Sequence, residues 1–162
     1  MQSPVPALSH SLKALSAILA TAEAHCTDHK IDPTVMLAQR LFPNMLPLTS
    51  QIRIASDTAK GACARLAQLD VPSFADDETT FADLQARITK TLDFIAPIPA
   101  AAYEGAEDRT ITLKIGKNER TFSGAQYYSG FVMPNFYFHA ATAYNILRHN
   151  GVGLGKKDFL GA

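Results

Sequence analysis

Asn135 and His139 are the residues of this sequence whose types and spacing best fit chemistry. They lie one helical turn apart in the most aromatic stretch of the chain, residues 124–151. At about 100° per residue both point to the same side of a helix, within an apolar arc that includes Tyr128 and has Thr142 on its flank. Buried polar groups need partners. These four residues therefore predict either a small-molecule site or a structural pair completed by hydroxyl groups.

The spacing of apolar residues predicts four long helices that position this pair. They cover about residues 7–27, 48–69, 81–95 and 124–149, and a short helix is expected at about 33–40. Thr80 and Asp83 have the spacing of a capping box at the start of the third long helix. Pro134 removes a backbone donor from the fourth helix, which predicts a kink or a restart just before Asn135; the alternative is that a new helix simply begins at Pro134.

The apolar period changes before the fourth helix. Ile111, Leu113 and Ile115 alternate with polar residues, a turn follows at 116–118, and residues 120–123 are expected to return as a second strand. The predicted fold is therefore all-α, an antiparallel four-helix bundle with a small β-hairpin inserted between helices three and four. The length predicts a single domain over residues 1–162.

Charge and cysteine content exclude several functional classes. Lys plus Arg and Asp plus Glu both number 15, which argues against nucleic-acid or membrane-surface partners that depend on net positive charge. Cys26 and Cys63 fall on apolar helical stripes and are expected to be reduced core thiols. No apolar run approaches the ~18 residues that cross a membrane. We expect a cytoplasmic protein with no nucleic-acid or membrane partner.

Four phrases of the sequence carry a resemblance to a known family: LSHSLKALSAILATAEAH, LFPNMLPLTSQIRIASDTAKGACARLA, MPNFYFHAATAYNILRHNGV and LGKKDFLG. Over nearly the whole chain the sequence resembles a bacterial family of unknown function within the DinB/YfiT-like superfamily of metalloenzyme-type proteins. The resemblance implies a four-helix bundle, often a homodimer. It implies no known reaction.

The wider superfamily includes metal-dependent thiol S-transferases and a maleylpyruvate isomerase, and its typical metal site has three histidines. One comes from the second long helix and two from an H-x-x-x-H pair in the fourth. At the matching positions this sequence has Asn135 and His139, and the second helix offers Asp57, with Thr58 beside it, instead of histidine. The resemblance thus implies a divalent transition metal, zinc or nickel, on His139, Asn135 and Asp57. However, asparagine is a weak ligand for such metals, and Asp57 lies nearly opposite the main apolar stripe of its helix.

Three functions follow from these observations. The main hypothesis is a homodimeric bundle that has lost the usual metal triad and binds a small molecule beneath the hairpin, near Asn135 and His139. The second is a metal-dependent transferase or hydrolase, resembling the thiol S-transferases, that uses Asp57, Asn135 and His139. The third is a structural or interaction dimer without a ligand, whose contact is a stripe of mostly small side chains in the second helix: Ile54, Gly61 and Ala64.

Other polar residues offer weaker alternatives. His25 and His29 could approach His139 if the first helix lies beside the fourth. Arg40, Lys60 and Arg65 could bind an anionic substrate, although such residues are more often solvated surface charges.

Overall fold

Four long helices and a two-stranded hairpin form the protein, seen here in a computed structural model that describes residues 1–162 except for the side chain of Ile115. The elements are α1 (Val5–Asp28), α2 (Pro33–Leu37), α3 (Leu48–Leu66), α4 (Phe81–Ile95), β1 (Thr110–Ile115), β2 (Asn118–Ser123), α5 (Gly124–Gln126), a π-helix (Tyr127–Val132), α6 (Met133–His149) and α7 (Lys156–Leu160), with 3₁₀ turns at Ala100–Tyr103 and Ala106–Asp108. The predicted all-α class, with one hairpin between the third and fourth long helices, is confirmed.

Helices α3 and α4 run in the same direction. Along α3, Arg53 contacts Glu78 just before α4, Asp57 contacts Arg87 within α4 at 2.8 Å, and the Cys63 carbonyl accepts the Tyr103 hydroxyl beyond the end of α4 at 3.2 Å. A parallel neighbour requires a long return connection. Residues 67–80, which we call the crossover, supply that connection and run back along the outside of the bundle.

The other two long helices complete the bundle with opposite polarity. The α6 helix is antiparallel to α3, because Gln51 contacts His139 while Thr58, later in α3, contacts Asn135, earlier in the chain. The α1 helix is antiparallel to α4, because Ser16 bonds to Gln85 at 2.6 Å while the earlier Met1 ammonium donates to the carbonyl of the later Tyr103 at 3.2 Å. The core that all four helices share contains one row of buried apolar side chains from α1 and one from α3: Leu8, Leu12, Leu15, Leu19, Ala22, Cys26, Ile52, Ala55, Ala59, Ala62 and Leu66.

Local chemistry sets the ends of these helices. The predicted capping box is present, since the Thr80 hydroxyl accepts the Asp83 N–H and the Asp83 carboxylate accepts the Thr80 N–H. In contrast, α3 ends earlier than predicted. Gln68 adopts the left-handed conformation with φ of 58°, the Leu69 N–H bonds to the Ala64 carbonyl, and Leu69 is left 47% exposed instead of extending the core stripe.

The hairpin is fixed to the bundle by apolar contacts. Ile111 and Leu113 of β1 are buried, and Phe122 of β2 packs against Phe131 and Tyr127 of the π-helix, with ring centroids 5.9 and 6.3 Å apart. A lone hairpin is only marginally stable in water. These contacts therefore hold it over the end of α3, where it forms one wall of a cleft.

The chain at Pro134 takes a form that the sequence did not specify. It does not break there. The helix widens to π geometry over Tyr127–Val132, the Met133 N–H bonds to the Tyr128 carbonyl, and Met133 keeps helical angles of −63° and −48°. Because Pro134 has no N–H, its helix cannot keep the ordinary pairing with the carbonyl four residues back, and the wider turn accommodates the missing donor.

None of the helices described here combines the length and hydropathy needed to cross a membrane.

Candidate functional site

His139 is buried and held by the first turn of α3. Its Nδ1 lies 2.7 Å from Gln51 Oε1, and Gln51 Nε2 donates to the Leu46 carbonyl at 2.8 Å. Because the Gln51 amide group donates elsewhere, its oxygen must be the acceptor, so Nδ1 of His139 carries the proton. Burial lowers the pKa of His139, which favours the neutral ring.

Asn135 faces the same helix about two turns further along α3. Its Nδ2 donates to Thr58 Oγ1 at 2.8 Å. The partner is thus Thr58, the residue beside the position that the family pattern suggested. Together the two bonds tie α6 to α3 with neutral groups, which is the arrangement expected of the structural alternative for this pair.

The other two predicted ligand-binding residues make no hydrogen bond to Gln51 or Thr58 among the contacts described. Thr142 is buried, and its hydroxyl donates to the Phe138 carbonyl of its own helix at 2.7 Å. Tyr128 is half-buried against the core, and burial raises the pKa of its hydroxyl. The Thr142 hydroxyl and the Asn135–His139 pair therefore have separate hydrogen-bond partners.

A cleft of about 480 Å³ opens beneath the hairpin, and Asn135 and Thr58 lie on its floor. Its walls come from α3, β1 and the π-helix. The residues that line it are Ile54, Asp57, Thr58, Arg65, Thr112, Leu113, Lys114, Tyr127, Phe131 and Asn135. Of the four residues predicted to bind a ligand, Asn135 is the one among the lining residues of this cleft.

Arg65 is placed at the cleft by two local features. Its guanidinium lies across Gly61, where a β-carbon would collide with it, and donates to the Tyr127 hydroxyl at 3.2 Å. Burial raises the pKa of Tyr127, although the neighbouring Arg65 opposes the shift. The phenol therefore stays protonated and positions the guanidinium at the cleft wall.

The three predicted metal ligands do not fit a metal site. Asp57 is ion-paired with Arg87 at 2.8 Å and with Lys60 at 2.7 Å, Asn135 directs its NH₂ group to Thr58, and only His139 retains a nitrogen suited to a transition metal. Among the side chains described, no three His, Cys, Asp or Glu residues gather where they could hold an ion. The donors present do not match the three-histidine set of the superfamily.

A second polar cluster, which the sequence did not predict, lies on the side of α3 that faces α4 and shares Asp57 with the cleft. In this Arg87 cluster the guanidinium contacts Glu78 Oε1 at 2.6 Å and Asp57 Oδ2 at 2.8 Å, while Arg53 donates to the Glu78 carbonyl at 2.9 Å. The Arg87 and Glu78 side chains are only 2% and 7% exposed. Burial acts to raise the pKa of Glu78, but hydrogen bonds and the positive charge of Arg87, with help from Arg53, leave it lowered.

One sequence signal could have identified this cluster. Arg87 lies three residues after Leu84 and four before Thr91, which places a charged side chain on the buried stripe of α4. Charged residues are almost never fully buried unless they are paired. Such a position therefore predicts a partner, although not which one.

The remaining predicted groups have local roles. His25 and His29 stack on each other, with ring centroids 4.1 Å apart, at the end of α1. In the proposed contact stripe Gly61 and Ala64 are already buried within the chain, so this stripe offers little surface to a second copy.

Comparisons with known proteins agree with the fold and leave the chemistry open. A family model described as "Domain of unknown function (DUF1993)" matches residues 1–160. The chain is also similar to the crystal structure of a DinB family member protein from Shewanella denitrificans, with 39% identity, 98% of this chain and 89% of that chain covered, and a TM-score of 0.92. No curated protein matches the chain.

Proposed function

We propose that this chain, which belongs to the DUF1993 family of domains of unknown function, binds a small organic anion in the cleft beneath the hairpin. The observation that carries the proposal is the chemistry of the cleft, which combines cationic, apolar and hydrogen-bonding groups around one space of about 480 Å³. Small-molecule sites have this composition and typically enclose about 300–1,000 Å³.

The charges in the cleft favour an anion. Asp57 is neutralised by Arg87 and Lys60. Arg65 and Lys114 also line the cleft, and no ion pair of either appears among the side chains described. A guanidinium and an ammonium without carboxylate partners suit a carboxylate or a phosphate monoester.

The rest of the lining favours an apolar body on that anion. Ile54, Leu113 and Phe131 supply a hydrophobic wall, and Tyr127 supplies an aromatic one. The Thr58 and Asn135 side chains form the polar floor. Such a site orients a ligand by its anionic head while its apolar part leaves water.

The test is a thermal-shift screen of small aliphatic and aromatic carboxylates and phosphate monoesters, each beside its neutral amide or alcohol. Acids should raise the melting temperature and the neutral analogues should not. For acids that bind, calorimetric titration of Lys114→Ala should show a Kd at least about tenfold weaker, which is about 1.4 kcal/mol. Lys117→Ala, on the turn of the same hairpin and outside the cleft lining, is the matched control. Equal binding of acids and neutral analogues, or no effect of Lys114→Ala, would contradict the proposal.

The second predicted function, a metal-dependent transferase or hydrolase, can be tested by the metal content of the protein. It requires about one metal ion per chain in protein purified without chelator, and the loss of that ion in His139→Ala. Elemental mass spectrometry separates the two proposals, because the organic-anion site requires no metal. The predicted homodimer likewise stays a proposal, and sedimentation velocity would decide it.

A further inference from the structure

The crossover is attached to the bundle in an unusual way. From Asp70 to Glu78, the hydrogen bonds found in the described part of the chain all come from two arginines: Arg87 donates to the Ala75 carbonyl at 2.9 Å and to Glu78, and Arg53 donates to Glu78. The hydrophobic core, as far as the described side chains show, takes no residue from 68 to 80. Charged groups of α3 and α4 therefore hold this segment.

The crossover uses every second side chain for this attachment. The side chains of Phe74, Asp76 and Glu78 contact cationic groups of the helices, and the intervening Ala75 and Asp77 take part in none of the ion pairs or cation–π contacts described. Alternate residues of an extended segment point the same way, so the pattern is that of an extended peptide in a binding groove. Asp76 reaches Arg87 at 3.1 Å, and Glu78 reaches Arg87 at 2.6 Å.

The Phe74 ring lies against two lysine side chains in the same groove. The Lys60 ammonium lies 3.8 Å from its ring centroid and the Lys90 ammonium 4.3 Å. Cations over an aromatic face are attracted by the ring quadrupole, more strongly where water is excluded. The ring thus binds through the charge of two lysines and not through the apolar core.

The surface beneath the crossover is basic. If the crossover's own Asp76 and Glu78 are left out, the helices carry four cations at this surface: Arg53, Lys60, Arg87 and Lys90. Two carboxylates of the helices lie beside them, Asp57 and the capping residue Asp83 at the start of α4. A cavity of about 540 Å³ already lies between the crossover and α4. A basic groove with two acidic side chains and one aromatic ring in it is the arrangement of a bound acidic peptide.

We infer that the α3–α4 groove is an acidic-peptide site that the crossover occupies as a tethered, self-bound segment. A peptide with an aromatic residue followed by acids two and four positions later can take the place of the crossover when it detaches. The tether gives the crossover an effective concentration in the millimolar range, so a free peptide competes poorly while the crossover is bound. Weakening the crossover contacts should therefore open the groove to such a peptide.

The test compares the wild-type chain with Asp76→Asn/Glu78→Gln, using a fluorescein-labelled peptide of residues 70–80 as the probe. We expect limited proteolysis within 70–79 to be at least about tenfold faster in the double variant, and fluorescence anisotropy to show peptide binding at least about tenfold tighter than to the wild-type chain. Asp70→Asn removes an exposed carboxylate of the same segment that lies outside the cavity between the crossover and α4, and should behave as wild type. A peptide carrying Phe74→Ala and Glu78→Gln should bind neither protein.

Circular dichroism checks that the double variant keeps its helices. If it does not fold, Asp76→Asn alone, whose side chain is 64% exposed in the wild-type protein, provides the same comparison with a smaller shift. An unchanged cleavage rate in a folded variant would overturn the inference. So would a crossover that opens without peptide binding, or peptide binding that is equal in the wild-type and variant proteins.

Discussion

The two sides of α3 hold their neighbours in different ways. Toward α6, Gln51 and Thr58 make neutral hydrogen bonds to His139 and Asn135. Toward α4 and the crossover, the contacts of the Arg87 cluster are ion pairs. A neutral donor needs one partner to be satisfied, whereas a buried charge needs its countercharge and several hydrogen bonds. The side facing α6 should therefore tolerate changes that the Arg87 cluster cannot.

The largest expected effect is in the Arg87 cluster. Arg87→Met leaves Glu78 buried without its main countercharge, and breaking a buried pair from one side typically costs about 3–5 kcal/mol. Urea denaturation measures the loss in the free energy of unfolding. Arg120→Met on the exposed strand β2 should change it by no more than about 0.5 kcal/mol. A loss below about 1 kcal/mol for Arg87→Met would show that the two sides of α3 do not differ in this way.

On the side facing α6, His139→Ala should cost about 1–3 kcal/mol, because the Gln51 amide oxygen loses its partner in a buried position. Replacing both residues, as Gln51→Leu/His139→Leu, should cost less than the sum of the single leucine variants, since neither member of the pair is then left facing a lost partner. The Leu46 carbonyl loses its donor in both Gln51→Leu and the double variant, so that loss cancels in the comparison. Denaturant titration of all three leucine variants gives the coupling. His149→Ala, an exposed histidine at the end of the same helix, is the control, and strict additivity would argue against a coupled pair.

Thr58→Val should have a smaller effect, about 0.5–1 kcal/mol, because Asn135 lines the cleft and water can replace the lost hydroxyl. Thermal unfolding in the absence of ligand measures it. Thr112→Val, on the hairpin wall of the same cleft, removes a hydroxyl that lies 3.2 Å from Thr121 on the exposed hairpin surface, and should cost less. A loss above about 2 kcal/mol for Thr58→Val would place Asn135 in a dry site.

Acid should affect the two sides at different pH. Burial lowers the pKa of His139, so the unfolded chain binds more protons below its ordinary value of about 6.5, and stability falls as pH falls below that value. The pKa of Glu78 is also lowered, which gives stability above its ordinary value of about 4.3 that is lost only as pH falls further. Between pH 7 and 5 we expect the free energy of unfolding to fall slightly, by less than in the three variants above, and urea denaturation at several pH values measures this fall. The fall should disappear in His139→Ala, and an unchanged dependence on pH in that variant would assign it to another group.

Local signals in the sequence predicted the parts of the fold that depend on neighbours along the chain. The capping box of Thr80 and Asp83, and the apolar spacing from Phe81, gave α4 with its observed bounds. The alternation at Ile111 and Leu113 gave the hairpin. The end of α3 was placed three residues late, because apolar spacing continues through Leu69 while the backbone turns at Gln68.

The candidate site could be predicted only in part. Asn135 and His139 were found because a polar pair on an apolar helical arc is visible in sequence. Their partners Gln51 and Thr58 were not, because the contacts depend on how α6 aligns along α3. Asp57 was predicted to share a metal ion with Asn135 and His139, whereas in the fold its carboxylate forms ion pairs with Arg87 and Lys60.

By itself the sequence determined the helices, the hairpin and the need for buried polar partners, since capping, turn chemistry and hydrophobic periodicity act over a few residues. The tertiary structure alone decided which groups meet. Gln51 lies 88 residues from His139, and Asn135 lies 77 from Thr58, so their contacts exist only once the helices have packed in one register. The parallel arrangement of α3 and α4 likewise brings the crossover onto a basic groove, because the chain must return along the bundle before α4 can begin.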